Sequence, residues 1–423
     1  MSRHLVVIGA GIVGVCSALE LLRDGHQVTL VEPGPPGGEQ AASFGNGAFL
    51  STGSIIPMSM PGTWRKVPGW LADPLGPLTI RWSALPALLP WLIRFLRAGA
   101  TVERVRKTAA ALAPMVADSP ARHFALATEA GVPDLIQRTG LLYVFPDRAA
   151  FEAEGLGWQL RAENGVTWTE LDAETLYQTE PSLDRRYTFG VRVDASGHCR
   201  DPGAYVAALV AHAQGLGAVF VQAAATGFDI RDFKLAAVRT TTGPIACDGA
   251  VIAAGIASRA LADSAGDRVP LASERGYHVV IKDPEVGPRI PVMPSDGKMA
   301  NTMTSKGLRA AGQVELAAVS APPNWARADV LLKHLLGTYP GLPKTIAPDR
   351  ISRWMGHRPS TPDGLPVIGP SRACPDIVHS FGHGHIGLIS GPMTGRLVAD
   401  IVAGLQPTIP IAPFSPRRFA SLI

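Results

Sequence analysis

A glycine-spaced turn lies close to the N-terminus and limits the folds that are open to this chain. The apolar run Leu5–Ile8 is followed at once by this turn, in G-x-G-x-x-G spacing: Gly9, Gly11, Ile12, Val13 and Gly14. An amphipathic segment to Arg23 and a second apolar run, 27–31, come next. This order of strand, turn, helix and strand predicts the first unit of a parallel sheet, with a dinucleotide bound at the turn.

Each glycine of the turn has a physical task. Gly9 permits the tight bend, Gly11 lets the backbone approach a pyrophosphate, and Gly14 lets the helix pack close to the strand. The start of the helix offers N–H groups and the positive end of its dipole to phosphates. Glu32 ends the second strand, where its carboxylate accepts hydrogen bonds from ribose hydroxyls and disfavours a 2′-phosphate. The unit therefore predicts FAD or NAD, and argues against NADP.

Composition excludes several other classes of protein. The 423 residues carry a net charge of only +4, and no run of four basic residues suggests nucleic-acid binding. The four cysteines form no C-x-x-C pair, so neither a disulfide framework nor a zinc site is indicated, and a cytoplasmic location is expected. The apolar stretch Leu5–Leu22 contains the three glycines and Glu20, which favour a strand, turn and helix over a signal peptide.

The loop after Glu32 favours FAD over NAD. Pro33–Gly38 is flexible, and it continues into small polar residues that include Ser43, Asn46 and Gly47. An NAD dehydrogenase more often continues with regular strand–helix units, whereas a long loop with many backbone donors can wrap an extended cofactor. An ordinary surface loop is the alternative for this stretch alone.

Two C-terminal segments decide between these alternatives. Residues 354–369 read W-M-G-H-R-P-S-T-P-D-G-L-P-V-I-G, residues 381–388 read F-G-H-G-H-I-G-L, and G-P-M-T-G at 391–395 precedes a helix predicted over 396–404. These segments closely resemble the D-amino-acid dehydrogenase branch of the D-amino-acid oxidase and glycine oxidase superfamily. Further matches follow in the same order along nearly the whole chain: Ser43–Asn46, the stretch 61–91 with its Asp73-Pro74, A-A-G at 253–255, R-G-Y-H at 275–278 and L-R-x-x-G-x-V-E-L-A at 308–317.

The resemblance implies an FAD enzyme whose C-terminal loops surround the isoalloxazine ring. Some relatives attach the flavin through a cysteine near the W-x-G-x-R segment, and none lies there in this chain, so non-covalent FAD is expected. Residues 47–52 and Gly391 depart from the family pattern close to the expected substrate. The predicted cofactor-binding residues are Gly9, Gly11, Ile12, Val13, Gly14, Glu32, Ser43, Asn46, Gly47, Ala254, Gly255, Gly382, His383, Gly384, Gly387 and Leu388.

Amino-acid oxidation needs an anchor that turns the substrate Cα–H towards flavin N5. A guanidinium binds a carboxylate with two hydrogen bonds, and the resemblance assigns this task to Arg358, expected in a rigid loop. Tyr277 is predicted to bind the carboxylate or cover the site, and His278 to handle the amine proton, with a half-buried aromatic pair as the alternative. His385 matches a second active-site cation of glycine oxidases. Metal binding by His383 and His385 lacks an accompanying carboxylate or cysteine, so no metal is predicted.

These residues predict the FAD-dependent oxidative deamination of a small amino acid. The resemblance favours a D-amino acid, with electrons passed to a quinone or another non-oxygen acceptor. The alternatives on the same fold are a D-proline or hydroxyproline dehydrogenase and a sarcosine- or glycine-type oxidase. A non-catalytic flavoprotein subunit and an NAD-linked dehydrogenase are alternatives of other classes.

The segment 82–96 is apolar on one face, with arginines around it. One interpretation is a peripheral contact with the inner face of the membrane, where a quinone would accept electrons. The other is a helix that faces the core and is interrupted by Pro86 and Pro90.

The predicted fold class is α/β, with a Rossmann-like FAD-binding domain and a second, antiparallel-sheet substrate domain. The FAD-binding domain is predicted to be discontinuous, from residues 1–58, 150–262 and 346–423. The substrate-binding domain is predicted from 59–149 and 263–345. Predicted strands are 218–222, 228–240 and 246–253 in the first domain, and the antiparallel pair 277–281 and 313–318 in the second.

Overall fold

A computed structural model of the chain describes residues 2–73 and 76–422. The structure does not describe Met1, Pro74, Leu75 and Ile423. The two ends of the predicted FAD-binding domain and the proline of the Asp73-Pro74 match therefore lie outside the described residues. The strands, in chain order, are β1 (His4–Ile8), β2 (Gln27–Glu32), β3 (Phe49–Leu50), β4 (Leu78–Ile80), β5 (Ile136–Gln137), β6 (Leu141–Phe145), β7 (Thr169–Leu171), β8 (Phe189–Val193), β9 (Gly197–Cys199), β10 (Val219–Gln222), β11 (Ala225–Arg231), β12 (Lys234–Thr240), β13 (Gly243–Ala246), β14 (Gly249–Ile252), β15 (Ala272–Ile281), β16 (Val292–Pro294), β17 (Ala300–Thr304), β18 (Gly307–Leu316), β19 (Ile351–Ser360), β20 (Val367–Pro370) and β21 (Ile377–Phe381).

The α-helices of the described residues connect these strands. They are α1 (Ile12–Arg23), α2 (Thr63–Ala72), α3 (Leu85–Ala98), α4 (Val102–Val116), α5 (Ser119–Glu129), α6 (Arg148–Glu152), α7 (Gly155–Glu163), α8 (Ala173–Thr179), α9 (Pro202–Gly215), α10 (Ser258–Ser264), α11 (Ala326–Thr338) and α12 (Gly387–Val402).

The cofactor half is a six-stranded sheet in the order β10-β2-β1-β14-β21-β20. All neighbours are parallel except β20 and β21. β1 reads as a continuous apolar run because both of its faces are covered. One face packs against α1, α9 and α12, and the other packs against β11, β12 and α10. The strands come from distant parts of the chain, so this sheet is discontinuous in sequence.

The second large sheet has the path β19-β15-β18-β17-β16-β6-β8-β7, with β4 added beside β18. Its central pairs are antiparallel, including the predicted pair β15 and β18, while β16 with β6 and β4 with β18 are parallel. β7, β8 and β19 arise from segments that the sequence assigned to the cofactor domain. The two-domain division stays a prediction, and this pairing favours moving 169–193 and 351–360 to the substrate part.

Three predicted elements differ from those observed. The single strand predicted over 228–240 is the hairpin β11–β12, which turns at Asp232 and Phe233, both with positive φ. Arg358 lies on β19 and not in a loop, because β19 pairs with β15 along ten residues. The helix predicted from 396 begins at Gly387 and includes the G-P-M-T-G segment.

Tertiary packing explains this longer C-terminal helix. Gly391 and Gly395 face α1, and a Cβ on Gly395 would collide with the backbone of Cys16. Two helices in such close approach stabilise residues whose intrinsic helix propensity is poor.

The segment predicted to face either the core or a membrane is largely exposed. Trp91 is the buried residue of α3, whereas Trp82 is 69% and Leu89 50% exposed. Among the described residues no single helix has the length and apolar character to cross a bilayer; the bent pair 82–98 and 102–129 meets those criteria only when taken together.

Candidate functional site

A cavity of about 510 Å³ lies where the six-stranded sheet meets the nine-stranded sheet. Its size falls within the range of ligand pockets, roughly 300–1,000 Å³. Most of the predicted site residues line it: Gly9, Gly11, Ile12, Val13, Glu32, Ser43, Asn46, Gly47, Ala254, Gly255, Arg358, Gly382, His383, Gly384, His385, Gly387 and Leu388. Gly14, Tyr277 and His278 do not.

One end of the cavity is built by the glycine-spaced turn. Gly9 has φ of +102°, and a Cβ there would collide with the Ala253 carbonyl. Gly14 lies behind the turn, where a Cβ would collide with the Gly9 carbonyl. Glu32 is buried and accepts a hydrogen bond of 2.9 Å from the Ala10 N–H. At the start of α1 the Ile12 N–H donates to the Ser43 hydroxyl at 3.0 Å. The N–H groups that follow in the first turn suit an anion.

The loop after β2 is held against the cavity by side chains from the other sheet. Arg309, which is 1% exposed, donates to the carbonyl oxygens of Phe44 at 3.2 Å and Asn46 at 2.8 Å. Thr302 donates to the Gly47 oxygen, and the Trp354 indole donates to that of Glu39. Sequence reasoning did not identify Arg309, although an arginine inside an apolar strand pattern signals a buried partner.

The opposite end of the cavity lies on the pair β15–β19. Glu274 and Arg358 are direct partners in this pairing, as are Gly276 and Gly356 two residues further along. All four residues therefore share one face of the sheet and line the cavity. Arg358 lies flat across Gly276, where a Cβ would collide with the guanidinium. Glycine at 276 thus makes the space that the arginine occupies.

Main-chain oxygens hold the guanidinium of Arg358. It donates to the Gln313 oxygen at 2.9 Å and to the Gly312 oxygen at 3.3 Å. β18 carries an extra residue at this point, and Gln313 has φ of +58°. Such a bulge redirects carbonyl groups out of the regular ladder. Burial lowers the pKa of Arg358, and the charge of Glu274 opposes this effect.

Tyr277 does not occupy the position predicted for it. Its side chain lies on the opposite face of β15, where its hydroxyl donates to Glu315 at 2.5 Å and accepts from the Asn324 N–H. Burial, followed by the neighbouring Glu315, raises the pKa of Tyr277 to about 12. The structure therefore does not bring the Tyr277 side chain to the cavity, because successive side chains of a strand point to opposite faces.

His278 lies one layer behind the cavity wall. Its ring stacks on Trp354 with centroids 5.2 Å apart, and its Nδ1 lies 3.3 Å from the Gly45 oxygen. Burial and then the charge of Arg309 lower the pKa of His278 to about 3. The structure therefore does not bring the His278 ring to the cavity, and its contact with the amine of a substrate stays a prediction.

The two histidines of the C-terminal segment differ in their surroundings. His383 is buried and lies 3.0 Å from the Thr394 hydroxyl, and burial lowers its pKa to about 3. His385 has an exposed side chain and lines the cavity; desolvation by the surrounding protein, followed by the charge of Arg358, lowers its pKa. His383 is therefore neutral near pH 7, whereas the role of His385 as a second active-site cation stays a prediction. Within the described residues, no group of three His, Cys, Asp or Glu is arranged for a metal.

Several residues that line the cavity were not predicted. They are chiefly Gln40, Phe49, Met58, Trp354, Met293, Lys298, Glu274 and Gln313. The sequence contains one signal for Glu274. It directly precedes the R-G-Y-H segment, so in a strand its side chain lies on the face opposite to those of Arg275 and Tyr277. To identify Glu274 as the cavity residue one must know the register of β15 against β19, and the sequence alone does not give this register.

The residues of the cavity fit FAD. The turn and the start of α1 suit a pyrophosphate, Glu32 suits ribose hydroxyls, and the far end lies beside Arg358. Within the described residues none of the four cysteines lines the cavity. Non-covalent attachment nevertheless remains a prediction.

Comparison with known proteins agrees with this geometry. The sequence profile described as "DAO: FAD dependent oxidoreductase" matches residues 4–401. A protein of Bradyrhizobium diazoefficiens named D-amino-acid oxidase is 58% identical over 417 residues, which cover 99% of each chain. D-amino acid dehydrogenase 2 of Ralstonia nicotianae is 32% identical, with 98% of this chain and 100% of that protein covered.

Solved structures of low sequence identity have the same fold. Glycine oxidase from Geobacillus kaustophilus is 20% identical, with a TM-score of 0.72 and 99% of each chain covered. L-amino acid deaminase from Proteus vulgaris is 17% identical, with a TM-score of 0.75 and 99% and 97% covered. The predicted fold class and the FAD cofactor are confirmed. Taken with the cavity, these matches show that the chain belongs to the DAO family of FAD-dependent oxidoreductases and oxidises an amino acid.

Proposed function

We propose that this enzyme oxidises D-amino acids with small apolar side chains to the corresponding imino acids. The observation that carries the proposal is the position of Arg358 at the end of the cavity, where the main-chain oxygens of Gly312 and Gln313 hold its guanidinium. When bound, FAD accepts the hydride that leaves the substrate Cα.

The chain's own residues orient the substrate for this transfer. The two outer N–H groups of a guanidinium fork can hold both carboxylate oxygens and so fix the position of Cα. Phe49, Met293 and Ala300 form a contiguous apolar wall of the cavity, which suits a small apolar side chain. Polar atoms are few on this wall, so a large polar side chain would be left without partners.

The stereochemical part of the proposal is supported by relatives. The proteins of Bradyrhizobium diazoefficiens and Ralstonia nicotianae both have names that specify D-amino acids. A D-proline or hydroxyproline dehydrogenase and a sarcosine- or glycine-type oxidase are alternatives on the same fold, and the experiment below separates them.

Two electron acceptors are considered. The name of the 58% identical relative supports oxygen. The exposed apolar side chains of α3 support a quinone at a membrane surface, which is one of the two interpretations of this segment. On α3, Leu89, Ile93 and Leu96 are 50%, 42% and 38% exposed, and Trp82, which precedes the helix, is 69% exposed. Arg81, Arg94 and Arg97 are close to them in the sequence. Such a face suits the boundary of an anionic bilayer.

Anaerobic reduction of the flavin tests substrate and acceptor together. D- and L-alanine, D-proline, sarcosine and glycine are added one at a time without oxygen, and the flavin absorbance is followed. We expect rapid bleaching by D-alanine and little by L-alanine. Rapid return of colour on admitting air would support oxygen as acceptor, and a slow return that a soluble quinone accelerates would support the dehydrogenase. No bleaching by any amino acid would overturn the proposal.

Membrane contact is tested by sedimentation with vesicles of anionic phospholipid. We expect co-sedimentation of the wild type and its loss in the double variant Trp82→Ser, Ile93→Ser. Phe233, which is 77% exposed on the β11–β12 hairpin, provides the control Phe233→Ser, which should bind like the wild type. Absence of wild-type binding would reject the membrane surface.

A further inference from the structure

The pair β15–β19 places a carboxylate opposite the substrate anchor. Glu274 and Arg358 are cross-strand partners, so their Cβ atoms lie about 4.5–5.5 Å apart on the face that lines the cavity. Within the described residues the guanidinium donates to Gly312 and Gln313 and not to Glu274. The two side chains therefore present opposite charges side by side to the same ligand.

An amino acid in solution has the complementary charges. It carries a carboxylate and an ammonium separated by one carbon atom, and the ammonium must lose a proton before the nitrogen lone pair can assist hydride departure. We propose that Glu274 receives the substrate ammonium and accepts this proton. The N–H bond breaks, an O–H bond forms on Glu274, and a neutral amine remains; bound FAD would then supply the acceptor for the hydride from Cα. This inference rests on the proposed function and deepens it.

The neighbouring groups leave Glu274 as the base. The charged and titratable side chains that line the cavity around it are Arg358 on β19 and His383 and His385 before α12. The side chain of His357 lies on the other face of β19, where its Nδ1 is 2.8 Å from the Ser273 hydroxyl. Burial lowers the pKa of His383 to about 3, so it is a weak base near neutral pH. The ring of His385 is exposed in the cavity, and desolvation followed by the charge of Arg358 lowers its pKa. Burial raises the pKa of Glu274, although Arg358 opposes this shift. A raised carboxyl pKa brings the base closer to the working pH, where general-base catalysis is most effective.

A small side cavity gives the proton an exit. It measures about 30 Å³, enough for a water molecule, and Glu274, His385, Ser59 and Ser360 line it. The hydroxyls of Ser59 and Ser360 are buried, at 4% and 5% exposure. The Ser360 hydroxyl lies beside Glu274 and, like Arg358, opposes the rise in the pKa of Glu274, whereas the Ser59 hydroxyl has no hydrogen-bond partner among the described residues. Asp363 also lines this cavity, but it is paired with Arg418. Buried hydroxyls in this position can hold a water molecule that receives the proton from Glu274.

The test compares the pH dependence of flavin reduction in the purified holoenzyme and in Glu274→Gln. Single-turnover reduction by D-alanine is measured without oxygen across a range of pH. Without the base, only substrate whose amine is already neutral can react. We expect the rate of the variant to fall about 10²–10⁴-fold near neutral pH. The difference should shrink as the pH approaches the pKa of the free amino group. A variant profile parallel to that of the wild type would overturn the assignment.

A binding measurement separates charge recognition from activity. Propionate has a carboxylate but no ammonium, and its binding is followed through the flavin spectrum. Glu274→Gln should bind propionate at least as tightly as the wild type, because a repelling carboxylate is gone. Weaker propionate binding in a variant that retains FAD would contradict the assignment.

Two further variants are controls for a change in rate that is caused by altered folding and not by loss of the base. Glu274→Asp keeps a carboxylate and should retain the wild-type shape of the pH profile, even if Glu274→Gln loses FAD. Glu315→Gln removes a buried acid from the other face of the sheet and should leave the profile unchanged. If D-alanine and the other amino acids do not reduce the wild type, the proposed function itself fails. If they reduce it and Glu274→Gln has an unaltered profile, only the role of Glu274 fails.

Discussion

Arg358 donates a hydrogen bond of 2.9 Å to the main-chain oxygen of Gln313, a residue whose backbone is held at φ of +58°. The strained residue and the anchor belong to different strands, β18 and β19, which do not pair with each other. A bulge in one strand therefore orients a side chain two strands away. Carbonyl oxygens fix the guanidinium without neutralising its charge, which keeps the charge available for a carboxylate.

Replacement of Arg358 by alanine should raise KM and leave FAD bound. Truncating one partner of a buried charge pair costs about 2–5 kcal/mol, so kcat/KM should fall about 30-fold or more. Steady-state kinetics and the flavin spectrum measure the two effects. Arg353→Ala is the control, since Arg353 lies on the same strand in an exposed ion pair with Asp329. An unchanged KM would remove Arg358 from the site.

A methyl group at position 276 should displace Arg358. Gly276→Ala places a Cβ against the guanidinium, and overpacking of this kind costs about 1–3 kcal/mol. We expect KM to increase about 5- to 100-fold while FAD remains bound. Gly215→Ala at the end of α9, where a Cβ meets open space, should behave like the wild type. Equal KM values in both variants would show that the contact with Gly276 does not control the anchor.

Loss of the Glu32 carboxylate should weaken FAD binding. Hydrogen bonds to a charged group contribute about 1.5–3 kcal/mol, so Glu32→Ala should increase the Kd for FAD about 10- to 100-fold. The Kd is measured from the fluorescence of released flavin. Glu39→Ala changes an exposed acid that does not line the cavity and should retain the wild-type Kd. If both variants bind FAD equally, Glu32 does not contact the ribose.

The buried Arg309 should stabilise the loop around Phe44 and Asn46. Arg309→Met leaves two carbonyl oxygens without their donor, at a cost of about 1–3 kcal/mol each. A lower Tm is expected, together with faster proteolysis within residues 38–47 and partial recovery on adding FAD. Arg239→Met, at an exposed arginine on β12, should change neither quantity. Unaltered proteolysis would mean that the loop is held by other contacts.

Tyr277 should matter for stability and not for substrate. Tyr277→Phe removes the hydroxyl that connects Glu315 with the Asn324 N–H, and a loss of about 1–3 kcal/mol should lower the Tm. Because this hydroxyl lies on the face away from the cavity, kcat/KM should stay close to that of the wild type. A large fall in kcat/KM with FAD still bound would restore the role that the sequence suggested.

The cofactor end of the site was predictable from the sequence, as its residues show. Gly9, Gly11 and Glu32 act within one contiguous unit, and the glycine-spaced segment 382–387 likewise carries its own turn geometry. Steric and hydrogen-bond rules of short range are sufficient for such units, because each residue's neighbours are known from its position. The sequence did not predict that Arg358 lies on a strand. The segment around it is rich in Gly and Pro, and it forms a strand because it pairs with β15.

The FAD-binding unit, the family resemblance and Arg358 as a candidate anchor were all accessible from the amino-acid sequence. The packing of the strands was needed to show that Glu274 faces the cavity and that Tyr277 does not. It was also needed to show that Gln313 holds Arg358 and that His278 lies behind Trp354. These relationships depend on strand register, because a shift of one residue exchanges the two faces of a strand. Register is set by packing between segments far apart in the chain.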